Sequence, residues 1–81
     1  MHLIPSFVRS ARPVQFNSQV ISKAVYHRRM RELDLEFVSG AQYQYGCVEP
    51  RTYREFLKAP STGRYFVANI RGHHPFRRLE N

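Results

Sequence analysis

Polar and apolar residues alternate in two neighbouring segments of the chain. In residues 32–38 the alternation places Leu33, Leu35 and Phe37 on one face. The same period resumes in residues 41–45, after Ser39-Gly40. A period of two is that of a half-buried β-strand, and a Ser-Gly pair suits a tight turn. The pattern therefore predicts two antiparallel strands.

A further strand is predicted upstream, over residues 20–27. This run is rich in residues that favour strands, such as Val20, Ile21, Val25 and Tyr26. The segment Arg28-Arg29-Met30 follows it and offers a polar turn. The three strands together form an antiparallel meander.

Two short helices are predicted after the meander. Pro50 suits the first turn of a helix, where its missing N–H costs nothing, and Pro60 ends a helix that runs to about Ala59. The apolar residues at i, i+3 and i+4 share a face that can cover the sheet: Tyr53, Phe56 and Leu57. Ser61 can cap a second helix by accepting a bond from an N–H near Gly63 or Arg64, with Phe66 and Ile70 as anchors.

The predicted fold class is α+β: a three-stranded antiparallel β-meander covered by one or two short helices, with an extended N-terminal arm. The arm spans residues 1–13 and contains prolines but no clean period, and it is either mobile or ordered by a partner. A single domain follows over residues 14–76, and residues 77–81 form a basic tail. Because the chain has 81 residues, it has room for one small core.

Charge is unevenly distributed along the chain. The net charge is +7, no acid precedes Glu32, and none lies between Glu55 and Glu80. Two basic regions therefore flank a balanced middle, which favours a polyanion or an acidic protein surface as the partner. The alternative is that the basic residues form a solvated surface that keeps a small protein soluble.

Cysteine content and hydropathy indicate the compartment. Cys47 is the single cysteine, so no intrachain disulfide can form, which indicates a reducing environment. No segment approaches the roughly 18 apolar residues of a membrane span. We expect a cytoplasmic protein without membrane contact. An organelle transit peptide, suggested by the acid-free N-terminus, is the alternative.

The sequence lacks a recognisable catalytic group, so no enzyme activity is expected. His73-His74 with His2 and His27 lack carboxylate or cysteine partners at ligand spacing, so we expect no metal and no cofactor. Cys47 is interpreted as a small apolar filler, and Asp34 and Glu36 as the solvated side of their strand. No P-loop, dinucleotide motif or nucleophile elbow is present, and no small-molecule substrate is evident. An enzyme remains the alternative if a deep pocket gathers the tyrosines with Arg or His.

The candidate binding residues are arginines and tyrosines. Arginine suits phosphates and carboxylates equally, and a tyrosine on a sheet can stack on a base. Most aromatic residues are assigned to the core, because they follow strand and helix periods. The binding candidates are Arg28, Arg29 and Arg31 in the first hairpin, Arg71, Arg77 and Arg78 near the C-terminus, and Tyr43 and Tyr45.

The order of these motifs resembles the KTSC domain, a small family named after a segment at the C-terminus of some lysyl-tRNA synthetases. The resemblance covers residues 14–76. It rests on Asn17, Ser18, Ile21, Tyr26, Leu33, Leu35, Phe37, Gly40, Tyr43, Tyr45, Val48, Pro50, Tyr53, Phe56, Ala59, Ser61, Gly63, Tyr65, Phe66, Ile70 and Arg71. The chain departs from the family pattern at His27, Pro60 and Val67. The resemblance implies a compact sheet-and-helix module, attached to translation or nucleic-acid machinery or free-standing in bacteria and phages, and it does not imply catalysis.

Two functional hypotheses follow. The first is a non-enzymatic basic binding module of nucleic-acid machinery that binds RNA or DNA through its arginine-rich surfaces. The alternative is a phage-type adaptor or inhibitor that docks on an acidic surface of a larger nucleic-acid enzyme such as RNA polymerase. In that case the apolar residues of the N-terminal arm become ordered on the partner.

Overall fold

A computed structural model describes residues 12–79 of the chain. Five antiparallel strands form one sheet in which neighbours follow the chain order. The strands are β1 Pro13–Gln15, β2 Ile21–His27, β3 Glu32–Phe37, β4 Gln42–Tyr45 and β5 Phe76–Arg78. Two helices connect β4 to β5, namely α1 Pro50–Lys58 and α2 Thr62–Asn69. The α+β class, the central meander and both predicted helices are confirmed.

The prediction of three strands was wrong, because the sheet has two more. β1 pairs with β2, and β5 pairs with β4, so both additional strands lie at the edges. Each has three residues, which is too short for a period of two to be recognised in the sequence. Backbone pairing with distant residues stabilises these strands. The predicted arm begins outside the described residues, and its last residue, Pro13, belongs to β1.

The two helices cover one face of the sheet and enclose the core there. A register shift in β2 between Ile21 and Lys23 allows both Ile21 and Ala24 to point inward. The core consists of Ile21, Ala24, Tyr26, Leu33, Leu35, Tyr45, Val48, Phe56, Phe66 and Ile70. Most of the aromatic residues are thus buried or packed against the core, as predicted.

The helix boundaries follow local signals. Pro50 opens α1, and Ala59 and Pro60 follow its end. The Oγ atom of Ser61 accepts a 3.2 Å hydrogen bond from the Arg64 N–H and caps α2, as predicted. Leu57 departs from the prediction: 38% of its surface is exposed, because it lines a cleft at the helix junction instead of facing the sheet.

The connection between β4 and α1 corrects the interpretation of Cys47. Its side chain is exposed, and its backbone has a φ of 58°. A filler of the core would be buried, so that prediction was wrong. Val48 is the residue of this connection that enters the core, because the chain turns at Cys47 and directs the next side chain inward.

Candidate functional site

The first hairpin displays the arginines that connect β2 and β3. Arg28, Arg29 and Arg31 are all exposed in this turn. Arg31 has a structural role, because its Nη1 atom donates to both carboxylate oxygens of Glu49 at 2.9 and 3.0 Å. Its carbonyl oxygen also accepts a 2.8 Å hydrogen bond from the Val48 N–H. Arg28 and Arg29 form no ion pair with a residue in 12–79 and remain available to a ligand.

β5 brings the C-terminal arginines onto the tyrosines of β4. Tyr45 lies opposite Phe76 and Tyr43 opposite Arg78 in the register. The strand is held at both ends, since the Gly46 N–H donates to the Pro75 carbonyl oxygen and the Leu79 N–H to the Gln42 carbonyl oxygen, each at 2.8 Å. In addition, Nδ1 of His74 donates to the carbonyl oxygen of Gly46 at 3.2 Å.

The aromatic rings at this edge form a continuous group. The ring centroid of Phe76 lies 5.8 Å from those of both Tyr43 and Tyr45, and the two tyrosine rings are 6.4 Å apart. Tyr45 is buried at 5% exposure, whereas Phe76 is 63% exposed. We name this group, with its two neighbouring arginines, the edge cluster: Tyr43, Tyr45, Arg71, Phe76 and Arg78.

Arg71 joins the edge cluster through its neighbour Phe66, and its charge acts on Tyr45. Burial raises the pKa of the Tyr45 hydroxyl, and the nearby Tyr43 hydroxyl raises it further. The positive charge of Arg71 lowers this pKa. Arg71 follows α2, and its N–H donates to the carbonyl oxygen of Phe66, whose ring centroid lies 5.3 Å from that of Tyr45. Tyr45 is therefore the buried member of the cluster, and Phe76 lies on the solvent side of it.

Arg77 lies on the opposite face of the sheet from Arg78, since successive side chains of a strand alternate. Its Nε atom donates to Oε1 of Gln44 at 3.0 Å, and Nε2 of Gln44 donates to Oδ1 of Asp34 at 2.8 Å. Nε2 of His27 then donates to Oδ2 of Asp34 at 2.9 Å. This polar network crosses four strands and holds Arg77 away from the edge cluster.

The structure divides the predicted binding residues among three places. Arg28, Arg29 and Arg31 lie in the hairpin turn, Arg77 lies on the uncovered face, and Arg71, Arg78, Tyr43 and Tyr45 meet in the edge cluster. Asp34 and Glu36 lie on the uncovered face, as predicted, where Glu36 pairs with Lys23 at 3.3 Å. Acidic and basic side chains thus pair on the uncovered face, whereas Arg71 and Arg78 of the edge cluster form no ion pair with a residue in 12–79.

Phe76 is the member of the edge cluster that the sequence reasoning did not select. Among residues 12–79, the other phenylalanines and tyrosines are buried or partly buried, whereas Phe76 is exposed. A signal was present, since Phe76 lies between His73-His74 and Arg77-Arg78. Its importance depends on pairing with Tyr45, more than 30 residues earlier in the chain, which the sequence pattern does not indicate.

The larger of two cavities in the described part of the chain lies away from the edge cluster. A cleft of about 800 Å³ lies between residues 16–20 and the helix junction, and Arg64 is its one ionisable lining residue. Within residues 12–79, no group of His, Cys, Asp and Glu is placed to hold a metal ion. In the same part of the chain no helix is long and apolar enough to span a membrane.

Comparison with known proteins identifies the family of this fold. The sequence model of the KTSC domain matches residues 17–74. The chain belongs to the KTSC domain family. The crystal structure of a KTSC domain protein from Yersinia pestis resembles it with a TM-score of 0.83 and 28% sequence identity. That match covers 86% of this chain and 99% of the Yersinia chain.

A KTSC-type segment also matches part of a much larger protein. A lysine–tRNA ligase from Nostoc punctiforme is 35% identical over 60 residues, which make up 74% of this chain. The matched stretch is 11% of the ligase, so the chain spans a small part of that relative.

Proposed function

We propose that this protein is a non-enzymatic module that binds RNA or DNA, with the edge cluster as its principal contact surface. The observation that carries the proposal is the exposed ring of Phe76, which rests on Tyr43 and Tyr45 beside Arg71 and Arg78. An aromatic surface next to arginines matches the two chemical components of a nucleic acid, its bases and its phosphates.

The charges of the cluster support the proposal. The ion pairs within residues 12–79 occupy Lys23, His27, Arg31 and Arg51, and none includes Arg71 or Arg78. The sequence contains no acid between Glu55 and Glu80, so the segment from α2 to β5 adds only positive charge. Such a local excess attracts phosphate groups and makes affinity depend on salt.

The absence of an enzymatic activity is part of the proposal. The large cleft offers serine, threonine and amide groups with one arginine, and this set lacks an activated nucleophile or an acid–base pair. The relation to a segment of a lysine–tRNA ligase supports a role in nucleic-acid machinery. A cytoplasmic location fits such a partner and belongs to the same proposal.

Fluorescence anisotropy with labelled single-stranded and duplex oligonucleotides tests the proposal. We expect binding at low salt that weakens steeply as salt rises. Arg78→Ala should reduce the affinity several-fold and lower the slope of log K against log salt by about 0.7–0.9, the value for one phosphate contact.

Arg77→Ala is the matched control, because it removes the same charge from the adjacent position on the opposite face. It should leave the slope nearly unchanged. Equal effects of the two substitutions would contradict the edge cluster as the contact surface. A wild-type protein that binds neither oligonucleotide at low salt would refute nucleic-acid binding itself.

The edge position of β5 favours a second candidate, docking on an acidic protein surface. Gly46–Pro75 and Gln42–Leu79 are hydrogen-bonded pairs, so the alternation of an antiparallel ladder directs the backbone groups of Phe76 and Arg78 outward. An acidic extended segment could pair with them. A partner captured from a lysate equally well with and without nuclease, and lost when Phe76→Pro removes the outward N–H of β5, would favour this candidate.

A further inference from the structure

We infer that the edge cluster selects single-stranded over double-stranded nucleic acid by stacking an unpaired base on Phe76. This inference deepens the proposed nucleic-acid binding and rests on it. It arises from the contrast between the exposure of Phe76 and the burial of the rings that support it.

Phe76 packs against two tyrosine rings and still leaves most of its surface open to a ligand. The rings of Tyr45 and Tyr43 contact it from the core side at tilts of 32° and 47°. Phe76 nevertheless remains 63% exposed. A ring supported in this way is fixed before binding, so stacking on it loses little conformational entropy.

A duplex cannot stack on the Phe76 ring, because the faces of its bases are already covered by their neighbours. Only an unpaired base can place its face on an aromatic side chain. A free two-stranded β-ribbon can enter the major groove of a duplex. The β4–β5 pair is not such a ribbon, because β4 is also paired with β3. The exposed ring therefore distinguishes the two forms of nucleic acid.

The neighbouring arginines can bind the phosphate backbone of the bound strand. Arg78 lies two residues beyond Phe76 on the same face, about 7 Å along the strand at the usual rise of an antiparallel sheet. Arg71 is anchored by a backbone hydrogen bond to Phe66, whose ring packs on Tyr45. Phosphates that flank the stacked base can thus meet a guanidinium group, whereas Arg77 faces the other side with Gln44.

The test measures anisotropy with labelled oligo(dT), oligo(U) and a hairpin duplex, using Phe76→Ala, Phe76→Leu and Phe76→Trp. Leucine retains apolar bulk without an aromatic face and is the matched control for packing. Both Phe76→Ala and Phe76→Leu should weaken single-strand binding about tenfold, the effect of losing one base–aromatic stack, and leave duplex binding unchanged. The salt slope should stay the same, because no phosphate contact is lost.

Phe76→Trp should retain single-strand affinity and supply a fluorescent reporter, since the natural chain has no tryptophan. Its emission should be quenched on saturation with the single strand and remain unchanged with the duplex.

The outcomes separate the inference from the function on which it rests. If Arg78→Ala weakens binding while Phe76→Ala does not, the protein binds nucleic acid without stacking, and the inference is overturned. Retention of affinity by Phe76→Leu but not by Phe76→Ala would replace stacking with a plain apolar contact, and would also overturn it. If the wild-type protein binds no oligonucleotide, both the function and the inference fail.

Discussion

The hydroxyl group of Tyr26 donates a 2.6 Å hydrogen bond to the carbonyl oxygen of Val48 and joins β2 to the connection before α1. Both residues are buried. The Val48 N–H donates to Arg31, and Arg31 pairs with Glu49, so the hairpin turn and this connection are held together at several points. These bonds hold the connection from which α1 begins, and α1 itself packs on the sheet through Phe56 and Tyr53.

Replacing Tyr26 with phenylalanine should lower the free energy of unfolding by about 1–2 kcal/mol. The substitution leaves the Val48 carbonyl oxygen buried without its partner, while the packing of the ring is conserved. Urea denaturation measures the effect. Tyr43→Phe is the control, since the Tyr43 hydroxyl has no hydrogen-bond partner among residues 12–79, and its effect should be below about 0.5 kcal/mol. Equal effects would contradict the assignment.

The N-cap of α2 should be worth about 1 kcal/mol. Ser61→Ala removes the acceptor of the Arg64 N–H and should destabilise the protein by this amount. Ser61→Asp should retain the cap, and its negative charge is also favourable at a helix N-terminus. Thermal unfolding of the two variants separates the two effects, because both lack the serine but only Ser61→Ala lacks a capping oxygen. A destabilised Ser61→Asp would argue against a capping role.

Gly63 and Val20 should show energetic coupling. A Cβ atom at Gly63 would lie 3.1 Å from Cγ2 and 3.2 Å from Cβ of Val20, which is closer than an ordinary contact. Gly63→Ala should therefore be less favourable in the wild-type background than in Val20→Gly, which removes both contacting atoms and lets the gain in helix propensity of about 1 kcal/mol be realised. A double-mutant cycle by urea denaturation should give at least about 0.5 kcal/mol of coupling. Simple additivity would show that the loop before β2 moves freely away from α2.

Cys47 should tolerate glycine better than valine. Its φ of 58° lies in the left-handed region, where a β-branched residue is strained and glycine is not. We expect Cys47→Val to lower the unfolding free energy by about 1–2 kcal/mol and Cys47→Gly to change it by less than about 1 kcal/mol. The opposite order would be expected of a buried apolar filler and would contradict the exposed position.

Stability should fall in alkaline solution as the buried phenols ionise. Burial raises the pKa of Tyr26 and of Tyr45 above the ordinary value of 10.0. Since the folded-state pKa exceeds the unfolded-state pKa, this stabilisation is fully present below pH 10 and is lost as the pH rises through the folded-state values. Ultraviolet absorbance of the phenolate, followed together with circular dichroism, measures both events. In Tyr45→Phe the loss of stability above pH 10 should be less steep, and an unchanged dependence would contradict the role of burial.

Several elements were predictable because their signals are local. The alternation in β3 and β4 indicates two strands and the side chains that face the core. Pro50 and Ser61 mark the starts of the helices through bonding within a few residues, and the assignment to the KTSC domain rests on the order of such signals.

The sequence by itself determined the central meander, the two helices and the excess of arginine, because periodicity, capping and charge are properties of neighbouring residues. Tertiary structure decided that β1 and β5 extend the sheet and that Cys47 is exposed. It also decided that Phe76 rests on Tyr43 and Tyr45. These features depend on contacts between residues far apart in the chain, and three-residue strands have no period of their own. The same pairing separates Arg78 from Arg77, because adjacent side chains face opposite sides once the segment is a strand.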